Sequence, residues 1–182
     1  MAIAAGTHTL GPDNATLSIR TKKGGAASKA GHNLLIEVTD WSATLALGAE
    51  PSDTTIELTA NSGSLKVLEG TGGAMSLDDE HRASIKETID KEVLKRTPIT
   101  FRSTAVEAGA DSGHLRVTGE LELAGARKPI AFDLSSGAGG ALTGSAVVKQ
   151  TNWGIKPYSA LFGTLKVLDE VTVEIAATLP HG

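Results

Sequence analysis

His114-Leu115-Arg116-Val117-Thr118-Gly119-Glu120-Leu121-Glu122-Leu123 is the stretch whose reading decides the fold class. In an extended chain Leu115, Val117, Leu121 and Leu123 fall on one side, and His114, Arg116, Thr118, Glu120 and Glu122 on the other. A strand with one apolar and one wet face belongs to an antiparallel sheet solvated on one side. The same period of two recurs along the chain. It marks strands at Asn14–Lys22, Asn33–Thr39, Trp41–Leu47, Thr54–Ala60, Ser64–Leu68, Ile99–Ala105, Ile130–Ser135, Leu142–Lys149 and Val171–Leu179. Asp40 is a tight turn or a kink within one long strand, and Gly125-Ala126-Arg127-Lys128-Pro129 reads as a turn. The expectation is an all-β antiparallel sheet of about eight or more strands. A sheet of that size closes into a barrel or splits into a sandwich, and alternation alone does not choose.

One segment breaks the pattern. Ile85, Ile89 and Val93 recur every four residues within Leu77–Arg96, as on an amphipathic helix. Ser76 and Asp79 have the spacing of a capping box. Acids open the segment and Lys95 and Arg96 end it, as the helix dipole favours. Asp78/Arg82, Glu87/Lys91 and Glu92/Arg96 are candidate i,i+4 pairs. This helix is expected to lie on one end or flank of the sheet.

Composition narrows the function. The chain has 182 residues, 40% of them hydrophobic, enough for one domain spanning residues 1–182. A net charge of −4, with no basic cluster beyond Thr21-Lys22-Lys23, argues against nucleic-acid binding. There is no cysteine, which removes disulfides and thiolate chemistry. No window reaches the roughly 20 apolar residues of a membrane span. Met1–Gly6 lacks the features of a signal peptide, so the expected location is cytoplasmic, unless a leader has been removed. His8, His32, His81, His114 and His181 show no metal-ligand spacing, and no metal site is expected. Gly70-Thr71-Gly72-Gly73 lacks a phosphate-loop signature and precedes the acids Asp78, Asp79 and Glu80. There is no G-x-S-x-G elbow.

Several motifs in order carry a family resemblance. They are Thr7–Asp13 with Leu17-Ser18-Ile19; Ala30-Gly31-His32-Asn33-Leu34, where Asn33 stands in place of an Asp found in one branch; and Pro98-Ile99-Thr100-Phe101-Arg102-Ser103. They continue with Leu115–Leu121, Gly125–Ile130, Asn152–Tyr158 and Asp169-Glu170-Val171. Together, over residues 7–179, they resemble the YceI-like family. The resemblance implies a lipocalin-like antiparallel β-barrel with one amphipathic helix and a hydrophobic pore, occupied in some members by a polyisoprenoid chain. Many members are periplasmic or secreted.

A closed barrel of about eight strands holds its own side chains or one small ligand. The inward candidates that fill it or line a pocket are Leu17, Ile19, Leu34, Ile36, Leu45, Ile56, Leu58, Phe101, Leu115, Leu121, Phe132, Val173 and Ile175. Trp153, Tyr158 and Phe162 hold half of the six aromatics; they either gate a mouth, with Tyr158 as a polar handle, or plug the barrel end. His32 bonds a ligand head group or its own loop. Three readings follow. The first is a non-enzymatic binding or carrier barrel for an apolar isoprenoid-type lipid or quinone, with no other cofactor. The second is a packed structural or protein-interaction barrel. The third is a cryptic enzyme using His32, Arg102 or Tyr158. Either a monomer or a homodimer is compatible with the sequence.

Overall fold

The computed structural model describes residues 5–180. Eleven strands form one antiparallel sheet: β1 (Gly6–Leu10), β2 (Ala15–Thr21), β4 (Asn33–Val38), β5 (Trp41–Leu47), β6 (Thr55–Ala60), β7 (Leu65–Thr71), β8 (Ile99–Ala108), β9 (His114–Leu123), β10 (Ala126–Ser136), β11 (Ala141–Lys149) and β14 (Glu170–Thr178). Three short strands, β3 (Lys23–Gly24), β12 (Ser159–Ala160) and β13 (Leu165–Val167), form a separate small sheet.

The pairing order β1-β5-β6-β8-β9-β10-β11-β14-β2-β4-β7 shows how the large sheet curls. β1 and β2 are halves of one bent stretch of chain, as are β4 and β5, and β6 and β7. β2 pairs with β14 and continues into β1, which pairs with β5. The order therefore returns on itself through the chain, as a lipocalin-like barrel requires. Asp40 is a kink, not a hairpin turn. The bends are fastened together: Thr39 N and Oγ1 both donate to the Ser64 carbonyl, at 3.0 and 2.8 Å. Asn61 N donates to the Asp40 carbonyl at 3.0 Å.

Beyond the bends β4 pairs with β7, and the far side of β7 has no strand partner among the described residues. Such an edge is left open unless something covers it. The helix α1 (Asp79–Thr88), extended by a wider π turn over Ile89–Val93, packs against β7. Arg82 Nη1 donates to the carbonyls of Val67 (2.9 Å) and Leu68 on β7.

This corrects two expectations for the helix. Its cap is Asp78, which accepts from the His81 amide at 2.8 Å and from His81 Nδ1 at 2.7 Å, so neither the Ser76 box nor the Asp78/Arg82 pair forms. It also ends before Arg96. Lys95 and Arg96 are left-handed (φ 55° each), and Arg96 turns back to Asp90 at 3.7 Å instead of Glu92.

The expected turn at Gly125–Pro129 is shorter. Ala124 and Gly125, both with positive φ (51° and 79°), make a two-residue hairpin turn, and Arg127, Lys128 and Pro129 already belong to β10. Strand-to-strand fit depends on Gly119. The Phe101 ring from β8 lies across it and meets Phe132 with ring centroids 5.4 Å apart. A Cβ on Gly119 would stand 2.4 Å from the Arg102 carbonyl and 2.5 Å from Phe101 Cζ. Gly119→Ala is therefore expected to cost about 2–3 kcal/mol, as overpacking against backbone does. A denaturant midpoint equal to that of the parent protein would contradict this.

Candidate functional site

The interior of the barrel is not filled. A cavity of about 700 Å³ runs inside the sheet, within the range of small-molecule sites. Its walls are the inward faces of the strands, because every second residue points the same way. Leu17, Ile19, Leu34, Ile36, Leu45, Ile56, Leu58, Phe101, Leu121, Phe132, Val173 and Ile175 all line it. Ile85, Ile89 and Val93 complete the wall where β7 has no neighbour, so the apolar stripe of the helix faces the cavity. Ala43, Gly144 and Ala146 keep the lumen wide.

Leu115 is placed otherwise. It points inward from β9, half-buried, but does not line the cavity. It lies at the end of the barrel where Val106, Val117, Ala177 and Leu179 are buried and are likewise not cavity walls. That end, below the β8–β9 and β10–β11 turns, is packed by the protein's own side chains.

The other end carries the long loops. Ala30, Gly31 and His32, then Ala74, Met75, Ser76 and Leu77, then Ile155, Tyr158, Leu165, Lys166 and Val167 surround the cavity there. His32 lines this mouth, and its Nε2 shares a hydrogen bond with the Met75 carbonyl, tying two mouth loops together. Tyr158 also lines the mouth and is half-exposed.

The other two aromatics of the cluster separate. Trp153 is 4% exposed, does not line the cavity, and donates from Nε1 to the Leu121 carbonyl at 2.9 Å, as a structural plug would. Phe162 stands fully exposed with φ 56°, outside the cavity. Arg102 lies on the outer face and pairs with Glu57 at 3.0 Å. His181 lies outside the described residues.

In the sequence Lys23 stands only as part of the short basic run Thr21-Lys22-Lys23, with no spacing that marks it as a site residue. It lines the mouth, and its Nζ donates to the carbonyls of Gly31 (2.9 Å) and Gly72. Gly31 stands eight residues along the same loop, and only the fold brings Gly72 to Lys23.

The loop that carries Tyr158 is clasped at its base. Asp169 accepts from Thr151 N at 2.8 Å and Thr151 Oγ1 at 2.6 Å. The Thr151 hydroxyl bond, followed by the Thr151 amide and nearby Lys149, holds the Asp169 carboxyl below its ordinary range.

The family model for the YceI-like domain matches residues 9–179. The chain belongs to the YceI-like family. Solved structures of similar fold include BcnA of Burkholderia cenocepacia, at TM-score 0.64 and 16% identity over 89% of this chain and 94% of that one. A polyisoprenoid-binding domain from Saccharophagus degradans matches at TM-score 0.56 and 10% identity over 97% and 100% of the two chains. A mutant of the Campylobacter jejuni YceI protein matches at TM-score 0.54 and 17% identity over 80% and 85%. No curated protein sequence matches. The YceI-like barrel is thus shared with proteins of very different sequence. Among the described residues no helix is long and apolar enough to cross a membrane.

Two expectations follow from this YceI-like barrel. Arg82→Met removes the clamp on the β7 edge and is expected to cost about 1.5 kcal/mol, the lower end for bonds from a charged donor. Amide exchange should accelerate in Asp79–Thr88 and stay unchanged in β9 and β10; uniform acceleration would show that the clamp is not local. The Asp169 clasp is fully formed above the ordinary carboxylate pKa and is lost as pH falls through the lowered one. The Thr151 amide resonance should titrate below the usual aspartate range, and a midpoint within that range would refute it.

Proposed function

We propose that this protein binds one extended apolar molecule, an isoprenoid-type lipid or quinone, inside the barrel and carries it without changing it chemically. The observation that carries the reading is the aliphatic cavity of about 700 Å³ with a mouth at one end. Each CH₂ of a ligand moved from water into such a wall contributes about 0.8 kcal/mol, so a long chain binds tightly with few polar contacts. The family and the name of the Saccharophagus degradans domain point the same way. The Tyr158 hydroxyl at the mouth is the handle we assign to a polar head group.

A non-catalytic role is supported by the placement of the polar groups. Arg102 is on the outside of the barrel, while His32 is occupied by the Met75 carbonyl. The cavity also disfavours a purely structural barrel, since unfilled apolar volume costs stability that a filled core would retain.

The test is native mass spectrometry and solvent extraction of the purified protein, followed by loading with an isoprenoid quinone and a prenyl alcohol. An apolar molecule should co-purify or load in one-to-one ratio. Ala146→Trp, which fills lumen space, should lower loading at least about tenfold while leaving the melting temperature equal or higher. Protein that arrives empty and takes up neither probe would overturn the proposal.

A further inference from the structure

The mouth has a surface chemistry unlike the rest of the molecule. Two of its loops, residues 22–32 and 150–168, contain Lys22, Lys23, Lys29, Lys156 and Lys166 and no Asp or Glu. All 21 acidic residues of the chain lie elsewhere, against the remaining 12 of its 17 Lys and Arg. Lys22, Lys29, Lys156 and Lys166 are exposed and form no ion pair among the described residues. Acids stand at this end too: Glu69 beside Gly70 on β7, Asp78, Asp79 and Glu80, which open α1 beside Met75, Glu122, paired with Arg127, by the β9–β10 turn, and Asp169 and Glu170 at the base of the second loop. The cationic side of the rim is therefore the one made by the two lysine loops.

Apolar side chains stand among these charges. Five large apolar side chains are exposed among the described residues, and four are in the mouth loops: Met75 (70%), Tyr158 (46%), Leu168 (39%) and fully exposed Phe162. Phe162 is held out by a left-handed backbone, which a bulky residue adopts at a cost. Exposed apolar side chains gathered at one site mark an interaction surface. Aromatic and aliphatic tips interspersed with lysines match the interface of an anionic bilayer, where rings enter the headgroup region and each lysine gains from the surface potential.

From this we infer that the protein docks its mouth on a membrane surface rich in anionic lipid, with Phe162, Tyr158 and Met75 inserted and Lys22, Lys29, Lys156 and Lys166 against the headgroups. In that pose the cavity opens directly into lipid, and a greasy ligand exchanges between bilayer and barrel without crossing water. The inference extends the carrier reading but does not need the cavity ligand to be an isoprenoid. The two are read separately, because vesicle docking is measured without ligand and ligand loading without vesicles.

The experiment uses the full chain with Phe162→Trp, whose indole reports from the rim while Trp153 and Trp41 stay buried. Emission is recorded with vesicles of phosphatidylcholine alone and of phosphatidylcholine with phosphatidylglycerol, alongside co-sedimentation of the parent protein. The expected result is a blue shift and co-sedimentation with the anionic vesicles, weakened by high salt and absent with phosphatidylcholine alone. The pair Lys156→Glu and Lys166→Glu should weaken binding at least about tenfold, and Phe162→Ser several-fold, with unchanged circular dichroism. Absence of any blue shift with anionic vesicles, or binding indifferent to salt and to the lysine reversals, would overturn the inference and leave the rim to a protein partner.

Discussion

Backbone hydrogen bonding around a curled sheet is the constraint on which the rest of the structure depends. Every strand needs a neighbour on both sides, and an open sheet always has two edges without one. Here three stretches of chain each bend once and serve two neighbours, so β2 reaches β14 while its continuation β1 reaches β5. The bend that curls the sheet also exposes β7, and the helix with Arg82 answers that exposure. The cavity is what remains when a barrel curled in this way is walled by small aliphatic side chains and one helix face.

The two ends of the barrel then differ for a simple reason. Short turns join β8 to β9 and β10 to β11 at one end, and nothing there holds side chains back from packing together. Long connections between β2 and β4, and between β11 and β14, occupy the other. The first is rich in glycine and lysine, the second buries Trp153 and Ile155 beside the barrel, and both are held by ties such as His32 to Met75 and Thr151 to Asp169. Apolar interior and cationic rim thus arise from the same division between strands and connections.

Much of this was legible in the chain. The alternation in His114–Leu123 and its repeats gave the inward faces, and all but one of the inward candidates line the cavity, because period-two geometry leaves no freedom about which side a residue takes. Leu115 departs because alternation reports the side of the sheet and not the depth along the barrel. The stripe Ile85, Ile89 and Val93 was legible for the same reason, but the ends of the helix were not. Three acids in a row made the cap ambiguous, and Arg82 found edge carbonyls that no local pattern announces. In the aromatic cluster, spacing could not distinguish Trp153 buried against Leu121 from Phe162 in solvent; the loop conformation decides between them. Lys23 was not legible as a mouth residue because one of its two partners, Gly72, is 49 residues away and is brought to it only by the fold.

The packed end gives the cavity a floor. A chain bound as proposed would stop where Leu10, Leu17, Leu134 and Leu142 meet the filled end and would leave by the mouth. A floor turns the lumen into a gauge of length. Molecules shorter than its depth leave part of the wall dry, and longer ones keep a segment outside, among the lysines and exposed rings of the rim. Selection among homologous chains would then rest on how far each reaches, with no polar recognition needed in the interior.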